Sequence, residues 1–331
     1  MLFHTELTPE SLPVPIRLND RILTVGSCFA EVMGHRLQAH KLNVTVNPFG
    51  TLFNPVSIAK VLTMALHGTA PAENLYVQRD GVWLHHDFHS SLWAGSHEEL
   101  AGRLTQLLTD VGAGLRQADW LLLTLGTAVA YRHIETGAVV ANCHKRPASD
   151  FEKYVYHADH LRDELTRLLT TLRRANPTLK VLLTVSPVRH TRDTLPLNSV
   201  SKSLLRVVCH ELTVWRDYVH YFPAYELMQD DLRDYRFYEA DLIHPNAQAH
   251  DYIFQKFAGC AFDAELRTFI ADWSAVRRAL AHRPLYGETN PAHRTFLTNL
   301  LARLETLSAT VDVSAELADV RRRLAMDEHR V

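Results

Sequence analysis

The side chains best suited to chemistry fall in three short segments set far apart in the chain. The first is Gly26-Ser27-Cys28-Phe29-Ala30, where a hydroxyl and a thiol stand side by side. The second is Asp241-Leu242-Ile243-His244-Pro245, with a carboxylate and an imidazole three residues apart. One loop can hold such a pair so that the carboxylate orients the ring and stabilises its charged form, while the ring takes a proton from a nucleophile. The third is Asn47-Pro48-Phe49-Gly50-Thr51, whose glycine lets a backbone N–H approach a ligand closely. Nucleophile, base, orienting acid and oxyanion donors (the Ser27 and Gly50 amides) add up to acyl transfer. Each segment also has a plainer reading. Serine is a favoured helix N-cap, an Asp–His hydrogen bond can finish a loop, and a glycine after Asn-Pro can serve a simple turn.

Other polar groups are less organised. His85, His86, Asp87 and His89 resemble a metal cluster in composition, but they lack a regular ligand spacing and cysteine support. The sequence points to no metal and no cofactor. His89 can instead line a substrate pocket. So can Asn142-Cys143-His144-Lys145 and Arg189-His190, which follow predicted strands. His89, His144, Lys145 and His190 are therefore substrate-binding candidates, with structural hydrogen bonding as the alternative. Cys28, expected to open a helix with its side chain turned away, is the weaker nucleophile.

The elements that must position these residues read as alternating strands and helices. Apolar runs predict strands over 21–25, 42–46, 119–125, 181–185 and 219–223, and helical spacing is expected after Ser27 and over 56–66, 98–108, 150–175, 199–215 and 247–257. Residues 72–96 read as loops or a small hairpin, and a hairpin-like stretch runs through Tyr131 to Ala141. Such alternation predicts βαβ units and a parallel sheet. Ser27 then sits where a strand turns into a helix, at the sheet edge where open α/β sheets place ligands, beside the unpaired N–H groups of a helix start. After about residue 260 only helical stripes remain, Phe296, Leu300, Leu301, Leu304 and Leu307, then Leu317, Val320 and Leu324. This tail can pack on the core or on a second copy of the chain, a homo-oligomer through its helices.

GSCFA, NPFGTLFNP, LTLGTA, ANCHK, SPVRH and FYEADLIHP, in that order, resemble the GSCFA domain family, a branch of the SGNH/GDSL-like serine hydrolases. The resemblance covers roughly residues 20–257 and implies a flavodoxin-like three-layer α/β/α sandwich; with the helical stripes of the tail, the expected domains are 1–258 for the sandwich and 259–331 for a helical extension. It also implies Ser27 as nucleophile, His244 as base, Asp241 as its partner, and the Ser27 and Gly50 amides in the oxyanion hole. By the same resemblance a small-molecule or carbohydrate ester, such as an O-acetyl sugar, is the expected substrate. Transfer to an acceptor other than water and a non-catalytic binding module on the same fold stay open. The chain departs from the wider pattern in its third block. There Gly126-Thr127-Ala128-Val129 replaces the Gly-x-Asn-Asp whose asparagine side chain is the third oxyanion donor. Thr127 or Asn142 can replace it, and Asn142, an amide, is the better substitute.

Bulk properties fit an ordinary soluble globular protein. The chain has 331 residues, 47% hydrophobic and 22% charged, with a formal net charge of −2 and no dense Lys/Arg stripe, which argues against nucleic acid as a partner. No apolar run reaches the roughly 20 residues needed to span a bilayer. The first residues lack the basic start and apolar run of a signal peptide. Cys28, Cys143, Cys209 and Cys260 are widely spaced, so we expect reduced thiols in a cytoplasmic protein.

Overall fold

Strand β1 (Arg21–Gly26) is buried from its second residue onward, as expected of a strand covered on both faces. A computed structural model describes residues 5–283 and 291–328. In it β1 pairs in parallel with β2 (Asn43–Val46) on one side and β5 (Trp120–Leu125) on the other, while β9 (Lys180–Val185) and β10 (Val219–Tyr221) extend the sheet beyond β5. The order β10-β9-β5-β1-β2 is the flavodoxin-like arrangement, which reverses direction beside β1.

Helices cover both faces. Leu23 and Val25, Leu121, Leu123 and Leu125, and Val181, Leu183 and Val185 share one core with α2 (Pro55–His67), α3 (His97–Gln117), α4 (Ala158–Ala175) and α5 (Leu195–Val214). The alternate residues Thr24, Leu122, Thr124, Leu182 and Thr184 face Phe29 and Met33 of α1 (Cys28–Ala39) and Phe257 of α7 (Ala247–Ala261) around a cavity of about 20 Å³. A short turn, α6 (Ala224–Glu226), follows β10. This is the expected α/β/α sandwich. Its helix ends are set by local chemistry. The Asn54 Oδ1 accepts from Ser57 N at 2.8 Å ahead of Pro55, and Gly68 closes α2 with φ 65. Asn246 caps α7 by accepting from Ala249 N.

Two small sheets decorate the sandwich. Strands β3 (Tyr76–Arg79) and β4 (Val82–His85) form a hairpin whose Asp80-Gly81 turn has φ 49 and 80, as a two-residue type I′ turn requires. Strands β6 (Val129–His133), β7 (Val139–Val140) and β8 (Phe151–Val155) form the other. The expected helix over 150–175 is thus corrected. Its first part is β8, antiparallel to β6, and α4 starts only at Ala158.

The described residues cluster into two units, one within 1–38 and 42–262, the other within 39–41 and 263–331. The second holds α8 (Ala264–Ala281), α9 (Pro291–Leu307) and α10 (Ser314–Glu328). Here α9 buries Leu297, Leu300 and Leu304; of the expected stripe Leu300 and Leu304 are buried, Phe296, Leu301 and Leu307 are half-buried, and Leu297 joins them. Arg321 pairs with Glu305 between α10 and α9 at 3.1 Å. Among the described residues no helix is long and apolar enough to cross a membrane.

Candidate active site

Ser27 follows β1 directly. Gly26 has φ 140, and a Cβ there would lie 2.1 Å from the Thr124 carbonyl oxygen, so only glycine lets β1 run this close to β5 at its carboxyl end. Ser27 N then donates to Thr124 O at 3.1 Å. The Ser27 side chain is buried, and its Oγ accepts from Phe29 N at 3.3 Å. It therefore caps α1, as the plainer reading of the sequence allows. Beside it, burial raises the pKa of the Cys28 thiol and keeps it protonated, an unfavourable state for a nucleophile.

Asp241 and His244 meet. His244 Nδ1 lies 2.7 Å from Asp241 Oδ2, and Asp241 Oδ1 accepts from the backbone N–H groups of Ile243 at 2.9 Å and His244 at 3.0 Å. These bonds hold the Asp241 carboxyl at about 2, below the usual carboxylate range. An ionised carboxylate only accepts, so in the neutral ring Nδ1 carries the hydrogen and Nε2 the lone pair. The loop is pinned from outside. Arg189 N donates to Ile243 O, Glu239 N donates to His244 O at 2.7 Å, and the Arg189 guanidinium packs against the rings of Tyr235 and Tyr238. Two partly buried imidazoles lie within electrostatic reach of His244. His250, packed 6.1 Å from the Phe29 ring, falls to about 4, and His190 falls to about 3, in both chiefly because burial disfavours the cation. Among the described residues no hydrogen bond joins Ser27 to His244, whose side chain is 48% exposed.

The expected oxyanion donors are largely engaged elsewhere. The Ser27 amide completes the β1–β5 ladder, and the Gly50 amide closes a turn onto Asn47 O at 2.8 Å. Thr127 Oγ1 contacts Ser201 Oγ at 2.9 Å and accepts from Val129 N, so its hydroxyl points into the packing of α5. Asn142 Nδ2 donates to Ser90 Oγ at 3.2 Å, while its Oδ1 caps the turn at His144 N.

The substrate-binding candidates divide. His89 lies against Gly50, where an added Cβ would meet the His89 Cβ at 2.4 Å, so it borders the second βα loop. His190 packs edge-on against Phe53 at 5.2 Å. His144 is 3% exposed, with Nε2 on His85 O and Nδ1 on Ser90 Oγ, which leaves neither ring nitrogen for a ligand. Exposed Lys145 follows it at φ 55, in the same left-handed turn. Among the described residues no group of three or more His, Cys, Asp or Glu side chains could hold a metal. His85 and His86 bond to the Ala72 and Asn142 carbonyls instead.

The sequence reading missed Lys202. It is 1% exposed, and its Nζ donates to Gly126 O and Ser186 O, each at 2.7 Å. It thus ties together the chain just beyond β5 and β9, at the same sheet edge as Ser27. Burial lowers its pKa to about 7. Lys202→Met keeps the volume and leaves two buried carbonyls without donors. Because relief of the buried charge offsets part of that loss, we expect a net destabilisation of about 2 kcal/mol in urea unfolding. An unchanged midpoint would show that these bonds do not hold the strand ends.

Comparisons with known proteins follow the same outline. The model of the GSCFA family matches residues 21–257, and that of the GSCFA domain protein, C-terminal domain, matches residues 273–326. No curated protein matches the chain. Similar solved structures include a Streptococcus pneumonia protein provisionally named a platelet activating factor (10% identity, TM-score 0.40, 74% of this chain and 85% of that one). They also include family 3 carbohydrate esterases from Talaromyces cellulolyticus (11%, TM-score 0.35) and Clostridium thermocellum (12%, TM-score 0.33), each covering 76% of this chain and 99% of the other. At such identities the fold description rests on this chain's own strand order. With the family model spanning the whole sheet and both halves of the candidate site, the chain belongs to the GSCFA family.

Proposed function

We propose that this protein is a serine esterase acting on a small acyl ester, such as an acetyl group on a carbohydrate hydroxyl. The observation that carries the reading is the 2.7 Å Asp241–His244 pair, whose Nε2 has no hydrogen-bond partner among the described residues, in a chain whose first βα turn carries Ser27. Ser27 Oγ attacks the ester carbonyl carbon as His244 Nε2 takes its proton. The carbonyl π pair moves to oxygen. Collapse of this adduct breaks the bond to the alcohol, which leaves with the proton from His244 and gives acyl-Ser27. Water then attacks the acyl carbon, gives one proton to His244, and Ser27 leaves carrying that proton. The small acyl group and the carbohydrate are suggested by the family resemblance alone.

A second reading, a binding module without turnover, has one observation in its favour: Ser27 Oγ caps Phe29 N and makes no bond to His244 among the described residues. A fluorophosphonate probe separates the two. We expect the wild-type protein to be labelled at Ser27, with p-nitrophenyl acetate turnover blocked in step, and Ser27→Ala to be folded but unlabelled. A folded wild type that stays unlabelled would end the esterase reading.

A further inference from the structure

We propose that Asn47 is the side-chain oxyanion donor of this site, supplying from the second βα loop the amide that the third block lacks; the inference rests on the esterase reading above. Asn47 is 5% exposed, and its Oδ1 accepts from Gly26 N, the residue before Ser27, at 3.0 Å. Only the oxygen can face that N–H, so the amide cannot flip, and Nδ2 is held close to the Gly26–Ser27 turn. Nδ2 is buried and has no hydrogen-bond partner among the described residues. An unpaired buried donor is costly, and each one in a folded protein calls for a reason. The backbone adds a second sign of constraint. Asn47 has φ 39, in the left-handed region that asparagine tolerates better than most residues, and is pinned there because its N donates to Thr24 O while its O accepts from Gly50 N.

The competing donors are occupied. Ser27 N, Gly50 N, Thr127 Oγ1 and Asn142 Nδ2 all have partners within the fold. Of the groups weighed for the oxyanion, Asn47 Nδ2 alone retains both of its hydrogens among the described residues, at the carboxyl ends of β1 and β2. As the ester carbonyl π pair moves onto oxygen, Nδ2–H donates to the developing anion. That bond is stronger in the tetrahedral adduct than in the bound ester, so its loss falls on kcat rather than KM.

Two variants test this on the full chain with p-nitrophenyl acetate. Asn47→Asp keeps an oxygen facing Gly26 N–H but turns the donor into an acceptor. Asn47→Gly suits the positive φ and removes the donor outright. The expected result is a fall in kcat of about 10²–10³-fold with KM within a few-fold of wild type. Affinity for a boronic acid that mimics the tetrahedral adduct should fall with it, while cooperative unfolding is retained. A kcat close to wild type in either folded variant overturns the proposal, and so does activity lost only in proportion to unfolded protein. The wild type separates the two failures. If it neither turns over ester nor takes the fluorophosphonate, the esterase reading itself has failed; if it does both and the variants match it, Asn47 alone is wrong.

Discussion

His244→Ala is expected to lower ester turnover by about 10⁴-fold or more, with thermal unfolding unchanged. The ring is half exposed and bonded to its own loop, so the fold loses little. In the proposed mechanism the reaction loses its base, and the buried Ser27 hydroxyl loses the group that takes its proton. Asp241→Asn sharpens the test. An amide can donate to Nδ1 and so favour the tautomer with hydrogen on Nε2, the wrong nitrogen for a base, and a loss on the order of 10³–10⁴-fold is expected. The Ile243 and His244 amides can still bond the Asn oxygen, so the loop keeps its shape. Steady-state kinetics on both variants, beside circular dichroism melts, decide the matter. If His244→Ala retains a tenth of wild-type kcat, the imidazole is not the base.

Which parts of this site were legible in sequence depends on whether their signal is local. Ser27 was visible because an apolar run ending in glycine and followed by helical spacing fixes a strand-to-helix turn. Asp241 and His244 were visible because three residues of one loop set their contact. The split of 150–175 into β8 and α4 was not, since β8 exists only by pairing with β6, about twenty residues earlier. Lys202 hid in plain view. With Ser201 it shares the helix face of Leu205, Val208, Cys209 and Leu212, so the phase of the apolar stripe already pointed it inward. A lone lysine in a helix reads as solvent-facing unless that phase is checked. The fate of the oxyanion donors was out of reach, because whether an amide is free depends on what the neighbouring strand and turn do with it. Asn47 carried no sequence mark beyond its place in the loop; its unpaired nitrogen is a product of packing.

Acid should unfold this protein early, through a cluster of neutral histidines beneath β4. His85 is fully buried; its Nε2–H donates to Ala72 O at 3.1 Å, and its Nδ1 accepts from Asp87 N at 3.1 Å. Protonation would break the second bond and bury a charge. His144 is similarly committed, and the His86 ring lies 5.4 Å from it, so a cation on one disfavours a cation on the other. Burial, with the neighbouring cationic groups, brings His85 down to about 3 and His144 to about 4. For a histidine with a lowered folded pKa, the unfolded chain binds more protons below pH 6.5. Stability is therefore intact above that value and declines as the pH falls toward the folded pKa. His85 and His144 together remove about 4 kcal/mol between pH 7.5 and pH 5, a large share of a typical domain's stability. Buried Asp87, whose pKa is raised chiefly by burial, works in the opposite sense. Urea unfolding at the two pH values should show the drop. His144→Gln should lower stability at pH 7.5 yet flatten the pH dependence by roughly one proton's worth. A urea midpoint that holds steady from pH 7.5 to pH 5 would mean that these rings are not kept neutral by the fold.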